Sequence, residues 1–310
     1  MKIDIVYTWV DGSDIKWQEE RNNWAKKLDL PLPEECRYRD NDELKYSLRS
    51  VEKYIPWVNK IFIVTNGQIP KWLDVNHSKI KIITHKDIMP SKVLPTYNSE
   101  AIETCLSEIP GLSEYFLYAN DDCFINKHLK PTYFFSKNGK PIIRMVKQNW
   151  TTENMQRSLY INNIKYCINL IKEKFDKEYK LESSHNIVPY RKTYFRLCKL
   201  EYSEEYEKTI HYKFRTKNSV QQTLVSFFTI ANNLGKLKII KNKSGLFHID
   251  HLYVGLTNSE TIKRRLNRGK PNLFCINDGE YAQQNDRDDL KILLKNIFPK
   301  PAQWELLNKS

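Results

Sequence analysis

The sequence of 310 residues has no hydrophobic run long enough to cross a membrane. Its longest apolar stretch, from Leu224 to Ala231, falls well short of the roughly 18 residues that a membrane-spanning helix needs. The first residues, Met-Lys-Ile-Asp, also lack the apolar region of a secretory signal. These absences predict a protein that is made and kept in the cytoplasm.

Glycine and cysteine are both scarce, at 9 and 6 residues. The low glycine content excludes collagen-like and low-complexity chains, and 40% hydrophobic residues indicate a globular protein with a sizeable core. The cysteines form no C-x-x-C pair, which argues against a zinc site and a disulfide framework and suits a reducing compartment. We expect the cysteines to be core residues.

Three common catalytic motifs are missing. The chain has no G-x-x-x-x-G-K-[ST], no G-x-G-x-x-G and no G-x-S-x-G. A P-loop, a standard dinucleotide fingerprint and the serine nucleophile of an α/β-hydrolase are therefore excluded. If the protein binds phosphate groups, it must do so with other residues.

Acidic residues are outnumbered, with 37 Asp and Glu against 50 Lys and Arg and a formal charge of +13. This balance favours an anionic substrate or an anionic surface. The basic residues are spread along the chain and form no zinc-finger, RNP-like or basic-zipper pattern, so we expect no nucleic acid partner. Peripheral binding to the cytoplasmic face of the membrane is compatible with the charge.

The first part of the chain alternates strand and helix patterns. Runs rich in β-branched and aromatic residues predict strands at 3–10, 60–65, 80–84 and 115–119, and helical spacing predicts helices at 41–55 and 99–109. Alternation of this kind predicts an α/β fold with a doubly wound, mainly parallel sheet.

The remaining sequence predicts helical insertions into that fold. Residues 137–212 are strongly charged and are predicted to be mostly helical, followed by a helix at 219–233, short strands from 236, a Lys/Arg-rich segment at 263–270 and a tail helix from Asp288. We predict one integrated domain of three parts: an α/β part at 1–136, a mainly helical insertion at 137–235, and a completing part at 236–310.

Polar residues follow the predicted strands. In a doubly wound sheet, ligands bind beyond the carboxyl ends of the strands, which is where Asp11, Asn66, Asp121 and Asp122 fall. The adjacent carboxylates Asp121 and Asp122 are suited to a hard divalent cation, Mg²⁺ or Mn²⁺, together with phosphate oxygens. The alternative is a simple turn that caps the next segment.

Two further residues are candidates for chemistry. His185 lies in a polar break, and its ordinary pKa near neutrality suits a general base. Arg215 can clamp a phosphate in a bidentate manner. The alternatives are a surface histidine and a solvated arginine.

Several stretches resemble the signature regions of the Stealth family of sugar-1-phosphate transferases. Residues 3–14 (IDIVYTWVDGSD) resemble the first region, and 39–44 (RDNDEL), 61–67 (IFIVTNG) and 117–122 (LYANDD) resemble the second. Ser184-His185-Asn186 is similar to the third region, and Cys275-Ile276-Asn277-Asp278 is similar to the fourth.

The resemblance implies transfer of a hexose or N-acetylhexosamine 1-phosphate from a nucleotide-sugar, expected to be UDP-linked, to a hydroxyl of a lipid-linked or growing surface polysaccharide. A phosphodiester would form and a nucleoside monophosphate would leave. The alternative is a metal-dependent nucleotide-sugar glycosyltransferase that makes an ordinary glycosidic bond. A homo-oligomer is compatible with either function.

The resemblance also implies that the part at 1–136 binds the nucleotide-sugar, that the insertion at 137–235 holds the acceptor and contributes to catalysis, and that the part at 236–310 completes the active site. We assign roles to individual residues from the motifs and from the residue types. His185 is the predicted general base, with Asp11 as its rival, and Arg215 is the third catalytic residue. Asp121 and Asp122 are the predicted metal ligands. The predicted substrate-binding residues are Asp11, Gly12, Asp14, Arg39, Asp42, Asn66, Asn98, Asn120, Arg191, Asn277 and Asp278.

Overall fold

A computed structural model describes residues 1–32, 34–148, 150, 158–240, 244–245 and 248–306, and it gives only the backbone at 244–245 and 248–251. The central sheet has five strands in the order β3-β2-β1-β4-β8. They are β1 (Ile3–Thr8), β2 (Ile61–Thr65), β3 (Ile80–Thr84), β4 (Tyr115–Asn120) and β8 (Val188–Arg191). The first four are parallel, which confirms the predicted α/β fold with a mainly parallel sheet.

The prediction of a mostly helical segment at 137–212 is wrong in part. Three strands lie there: β8, which runs antiparallel to β4, together with β6 (Ile142–Lys147) and β7 (Leu181–Ser183). β6 and β7 form a three-stranded sheet with β9 (Lys236–Ile240). Each of these strands is short and contains charged residues, and the overall charge of the segment obscured their alternation.

A third sheet joins the carboxyl-terminal part of the chain to the end of β4. Its order is β10-β11-β12-β5, and its strands are β5 (Cys123–Ile125), β10 (Ser244–Gly245), β11 (His248–Tyr253) and β12 (Leu273–Asn277). β12 pairs antiparallel to β5, with Cys275 opposite Cys123. Thus the middle part supplies β8 to the central sheet, and the last part supplies β12 beside β5. The three-part division of the chain stays a prediction.

Ten α-helices lie in the described residues. The predicted helix at 99–109 is wrong in length, because its α-helical part ends at Glu103 and only a 3₁₀ turn follows at Leu106–Glu108. The helix after β1 was not predicted, since its apolar residues are few. The helices are α1 (Ile15–Lys27), α2 (Glu43–Tyr54), α3 (His85–Ile88), α4 (Ser99–Glu103), α5 (Leu159–Phe175), α6 (Lys192–Glu201), α7 (Ser203–His211), α8 (Gln222–Ala231), α9 (Ser259–Gly269) and α10 (Gln284–Ile297).

Both faces of the central sheet are buried. Successive strand residues point to opposite faces, so Val6 and Phe116 join one apolar cluster while Tyr7 and Leu117 join another. Helices cover both faces, which explains why these strands read as continuous apolar runs. Among the described residues, no helix combines the length and the apolar character needed to cross a membrane.

Five of the six cysteines are buried, as predicted, and all six are free thiols. Cys36 is partly exposed. The buried thiols include Cys123 and Cys275, which face each other across the β5–β12 pair and lie beside Asp122.

Candidate active site

The carboxyl ends of three parallel strands meet at one edge of the central sheet. Thr8, the last residue of β1, lies opposite Val64 of β2 and Asn120 of β4. The segments that follow these strands carry Asp11, Asn66, Asp121 and Asp122, so the predicted strand-end residues share one edge. We call it the active edge.

Asp122 is held by a residue from the carboxyl-terminal part of the chain and by its own neighbour. Its carboxylate accepts a hydrogen bond from the side-chain amide of Asn277, which ends β12, and lies 3.6 Å from the Cys123 sulfur. The β5–β12 pairing brings Asn277 to this position. The structure therefore joins the predicted substrate-binding Asn277 to the predicted metal ligand Asp122.

Four carboxylates, Asp40, Glu43, Asp121 and Asp122, form what we call the acidic cluster. Burial, followed by the charges of Asp122, Glu43 and Asp40, raises the pKa of Asp121 well above its usual range. Burial raises the pKa of Asp122 to about 6, and burial with the charge of Asp42 raises the pKa of Asp40 to about 6. A group of carboxylates that repel one another is a setting in which a bound cation would be strongly favoured.

Glu43, in the first turn of α2, is a member of this cluster that the sequence analysis missed. Its side chain is buried and accepts hydrogen bonds from the backbone and side-chain amides of Asn41, the latter at 2.8 Å. Burial, with the charge of Asp40 next, raises the pKa of Glu43 to about 8. An acidic residue at a helix start usually faces solvent and favours the helix dipole, so no sequence signal separated Glu43 from that ordinary role.

His185 lies at the active edge beside Asp122. It is in the connection between β7 and β8, and its ring lies 5.9 Å from the ring of Tyr160 in an edge-on arrangement. Ligand atoms of His185, Asp122 and Cys275 all lie within 4.8 Å of one another. The structure thus places the predicted base next to a predicted metal ligand, although the two are 63 positions apart in the sequence.

The donor atoms at this edge fit a hard divalent cation. Asp121 and Asp122 offer carboxylate oxygens, which Mg²⁺ and Mn²⁺ prefer, and Mn²⁺ also accepts an imidazole nitrogen such as that of His185. Burial raises the pKa of the Cys275 thiol well above its usual range, so this sulfur stays protonated and is a poor metal ligand. The residues therefore fit Mg²⁺ or Mn²⁺ better than a thiolate-bound metal.

A second group lies on the other side of Asn120. The guanidinium of Arg215 donates to the Ser99 hydroxyl, and its charge acts on the buried carboxylates of Glu100 and Glu103. We call Ser99, Glu100, Glu103 and Arg215 the arginine cluster. Burial raises the pKa of Glu103 to about 7, while the charge of Arg215 lowers it.

Tyr118 connects the arginine cluster to the active edge. Its hydroxyl lies 3.3 Å from a Glu103 carboxylate oxygen, 2.9 Å from the Asn120 side-chain oxygen and 3.1 Å from the Thr8 hydroxyl. Asn120 immediately precedes Asp121. The sequence analysis missed Tyr118 and Glu103; the three-residue spacing of Glu100 and Glu103 in α4 was the available signal.

The loop after β1 is fixed by close contacts. A Cβ atom at Gly12 would lie 1.9 Å from the backbone oxygen of Tyr38, so only glycine fits there without a shift of the backbone. The Asp11 carboxylate accepts from the backbone and hydroxyl of Ser13 at 2.9 and 2.6 Å. Gln68, which the sequence analysis missed, donates to the Asp11 backbone oxygen and to Asp14.

Asp14 caps α1 by accepting from the backbone amides of Lys16 and Trp17. Its hydrogen bond with Gln68, followed by that with Trp17, lowers the pKa of Asp14. The predicted residues Asp11, Gly12 and Asp14 are thus brought together at the active edge, and Asp14 has a clear structural role there as well.

Four other predicted substrate-binding residues lie in separate surroundings: Asn66, Asp42, Asn98 and Asp278. Asp278 forms a buried ion pair with Arg287 at 2.8 Å, and Asn66 accepts from the backbone of Gln68. Asp42 precedes α2 in the left-handed conformation, with φ of 66°. Asn98 is fully buried, caps α4 and donates to the Tyr212 backbone oxygen. These contacts support the local structure.

The structure does not bring Arg39 and Arg191 into these clusters. Arg39 is exposed and lies 3.2 Å from Glu35. Arg191 pairs with Glu114 at 2.8 Å and stands opposite Tyr115, the first residue of β4, at the edge of the sheet away from Asp121. Their roles in substrate binding stay predictions.

Comparison with known proteins identifies close sequence relatives. Residues 1–29 match the model of Stealth protein conserved region 1, and residues 37–143 match that of conserved region 2. The chain is 34% identical to the capsular polysaccharide phosphotransferase fcs1 of Haemophilus influenzae over 89% of this chain and 78% of that protein. It is 33% identical to the capsular polysaccharide phosphotransferase SacB of Neisseria meningitidis serogroup A, over 98% of this chain and 57% of that protein.

Further similarity reaches beyond these two proteins. The exopolysaccharide phosphotransferase CpsY of Mycobacterium tuberculosis is 35% identical over 98% of this chain, which spans 58% of its length. Among solved structures, the galactosyltransferase LgtC aligns over 99% of this chain and 98% of that chain with a TM-score of 0.45 at 10% identity, a likeness too distant to support an argument. The identity to the curated relatives and the two matched regions show that the chain belongs to the Stealth family.

Proposed function

We propose that the protein transfers a hexose or N-acetylhexosamine 1-phosphate from a nucleotide-sugar to a hydroxyl of a lipid-linked or growing surface polysaccharide. The main support is the juxtaposition of His185, Asp122 and the acidic cluster at the active edge, with Arg215 on the other side of Asn120. Family membership and the named activities of the relatives favour a phosphotransferase.

In the proposed reaction, an acceptor hydroxyl attacks the phosphorus that carries the donor sugar. The new phosphorus–oxygen bond forms as the bond to the nucleoside monophosphate breaks, and the glycosidic bond of the donor sugar is retained. His185 accepts the hydroxyl proton at a ring nitrogen, and the nearby carboxylate of Asp122 stabilises the imidazolium that results. Asp11 is the rival base.

Asp121 and Asp122 would hold Mg²⁺ or Mn²⁺, which neutralises charge on the donor phosphates when bound. Arg215 supplies a fixed positive charge toward the transferring phosphate. The Ser99 hydroxyl accepts from the guanidinium, and the charges of Glu100 and Glu103 act on it, so its charge is already positioned before the substrate binds. Preorganised charge of this kind favours the transition state without reorganisation during the reaction.

The runner-up is a glycosyltransferase that breaks the bond between the sugar C1 and oxygen. A screen of UDP-, CDP- and GDP-sugars with mass analysis of both products separates the two reactions. We expect a nucleoside monophosphate and a phosphodiester in the acceptor. Release of a nucleoside diphosphate would contradict the proposal and support the runner-up.

The acceptor for this activity would be assembled at the cytoplasmic face of the membrane, where the charge of +13 favours peripheral association. Flotation with vesicles containing phosphatidylglycerol tests this part of the proposal. We expect binding that weakens as salt is raised. Absence of binding at low salt would contradict it.

A further inference from the structure

The carboxyl-terminal sheet contains a β-α-β unit whose two strands end at the active edge. β11 and β12 are parallel, and Tyr253 at the end of β11 lies opposite Asn277, the partner of Asp122. α9 follows β11 and leads back to the start of β12. Its first turn therefore lies near the active edge, and its 11 residues extend away from it for about 16 Å.

The outer face of α9 carries a dense positive charge. Ile262 and Leu266 are buried against the apolar cluster that includes α10, and the remaining face points to solvent. Because residues three or four positions apart share a helix face, Arg264 and Arg268 lie one turn apart with Arg265 beside them. The exposed cations of this segment are Lys263, Arg264, Arg265, Arg268 and Lys270.

These cations are not neutralised by the acidic residues of the neighbouring helix. Among the residues whose side chains the structure describes, none of the five forms an ion pair. On α10, Asp286 caps the helix through Gln283, and Asp288 accepts from Gln284. The positive face is thus available to an external anion.

Two tyrosines lie at or just after the ends of the strands that reach the active edge: Tyr253 is the last residue of β11, and Tyr281 follows β12. Tyr253 and Tyr281 are 42% and 63% exposed, respectively. The loops that follow β11 and β12 touch at Gly255. A Cβ atom added to Gly255 would lie 2.6 Å from the backbone of Ala282, and the φ of +84° at Gly255 also favours glycine. Exposed aromatic rings therefore stand in the segments at the active edge, and exposed guanidinium groups stand along α9, which begins there.

We propose that this surface, formed by Tyr253, Tyr281, Arg264, Arg265 and Arg268, binds the phosphodiester-linked sugar chain of the acceptor. The inference rests on the proposed function, because each transfer would add one negative phosphate to the acceptor and the growing chain must leave the active edge across the protein surface. Tyrosine rings suit sugar rings, and arginines bind phosphodiesters with planar, charged donors. A membrane is less suitable, because the exposed face of α9 has no apolar residues to insert.

The test is a binding measurement that needs no turnover. The probe is a fluorescein-labelled oligomer of glucosyl phosphate units, and a neutral gluco-oligosaccharide of the same length is the matched ligand. We expect the triple variant R264Q/R265Q/R268Q to bind the phosphorylated oligomer about 10- to 100-fold more weakly at low salt, with a smaller salt dependence. Binding of the neutral oligosaccharide and of a nucleotide-sugar should not change.

A matched control removes the same charge elsewhere. Lys81, Lys130 and Lys137 are exposed and do not belong to α9 or the active edge, so K81Q/K130Q/K137Q should reduce oligomer affinity only slightly. Equal losses in the two triple variants would overturn the proposal, because they would show a general charge effect. Tighter α9-dependent binding of phosphatidylglycerol vesicles or single-stranded DNA than of the oligomer would also overturn it.

The outcomes separate this proposal from the proposed function. If no nucleotide-sugar is turned over but oligomer binding depends on Arg264, Arg265 and Arg268, the surface is supported while the transferase reaction fails. If a nucleoside monophosphate is released normally and the triple variant still binds and extends the oligomer like the parent, the reaction stands and the surface proposal is overturned.

Discussion

Two groups of buried and half-buried carboxylates lie near Asn120, and their charge is balanced in different ways. Burial raises the pKa values of Glu100 and Glu103, and the charge of Arg215, which belongs to the protein, lowers them. Among the described residues, Asp40, Glu43, Asp121 and Asp122 form no ion pair with a lysine or an arginine, and protonation relieves their repulsion. The folded chain itself thus balances part of the charge of the first group. The second group would gain most from an external cation.

The largest predicted effect concerns the base beside the acidic cluster. We expect His185→Ala to lower turnover by about 10²- to 10⁴-fold, because the acceptor hydroxyl loses its general base. Donor binding should be retained, since Asp121, Asp122 and Arg215 remain. Turnover and donor affinity are measured side by side, with the exposed His211→Ala as the control. Near-normal turnover of His185→Ala would transfer the role to Asp11.

The next prediction concerns Arg215, the cation of the arginine cluster. Arg215→Met should lower turnover by about 10²- to 10³-fold, because a preorganised charge is lost. The same change leaves Glu100 and Glu103 without their cation, so their pKa values should rise further. Steady-state kinetics across pH measures the first effect, and carboxyl carbon NMR measures the second.

Two variants control the arginine experiment. Arg215→Lys keeps the charge and should recover part of the activity, although it loses the planar donor geometry. Arg191→Met removes an arginine from the opposite edge of the sheet and should leave turnover nearly unchanged. If Arg191→Met were as damaging as Arg215→Met, the predicted substrate-binding role of Arg191 would be supported and the distinction between the two edges would be lost.

The third prediction tests whether the acidic cluster binds an external cation. Asn277→Ala removes the amide that orients Asp122 and should weaken Mn²⁺ binding by about 10- to 100-fold. Calorimetric titration of Mn²⁺ into the protein measures this without any substrate, and the exposed Asn76→Ala is the control. Unchanged Mn²⁺ affinity would mean that Asp122 does not need this partner.

The smallest expected effect is on stability. The pKa of Glu43 is raised to about 8 by burial, so between its ordinary value near 4.5 and pH 8 the folded state holds a proton that the unfolded state releases. Stability from this residue is therefore present at acidic pH and is lost as the pH rises through that window. We expect Glu43→Gln to be more stable than the parent at pH 8 by at least about 1 kcal/mol, with a smaller advantage at pH 5.

Guanidinium unfolding at the two pH values, in the presence of a chelator, measures this difference. The exposed Glu19→Gln on α1 should follow the parent at both pH values. Parallel pH dependence in Glu43→Gln and the parent would show that Glu43 is not the buried acid responsible.

The sequence predicted the parts of the structure that depend on local pattern. The four parallel strands were recognisable because both faces of the sheet are buried, and the strand-end position of Asp121 and Asp122 followed from them. β6, β7 and β8 were hidden because short strands in a charged segment have little periodic signal. The proximity of His185, Asp122 and Cys275 depends on strand pairing between distant segments, which no local pattern carries.

Which residues belong to the acidic cluster and to the arginine cluster was harder to predict than the presence of such clusters. Glu43 and Glu103 look like ordinary helix residues, and only tertiary burial distinguishes them. For Arg191, the sequence position next to the third motif favours a role in substrate binding. The register of β8 against β4, however, places Arg191 opposite Tyr115, at the edge of the sheet away from Asp121. Burial and strand register are both consequences of the whole fold.

The hydrogen bond between Asp122 and Asn277 joins positions that are 155 residues apart. At a ribosomal rate of about 5 to 20 residues per second, Asn277 follows Asp122 out of the ribosome after roughly 8 to 30 s. During that interval the parallel strands β1–β4 have already been synthesised, but the side chain that orients Asp122 has not. The candidate active site is therefore assembled late in synthesis, and a nascent chain that stops before β12 would contain the strand-end carboxylates without the amide of Asn277 that orients Asp122.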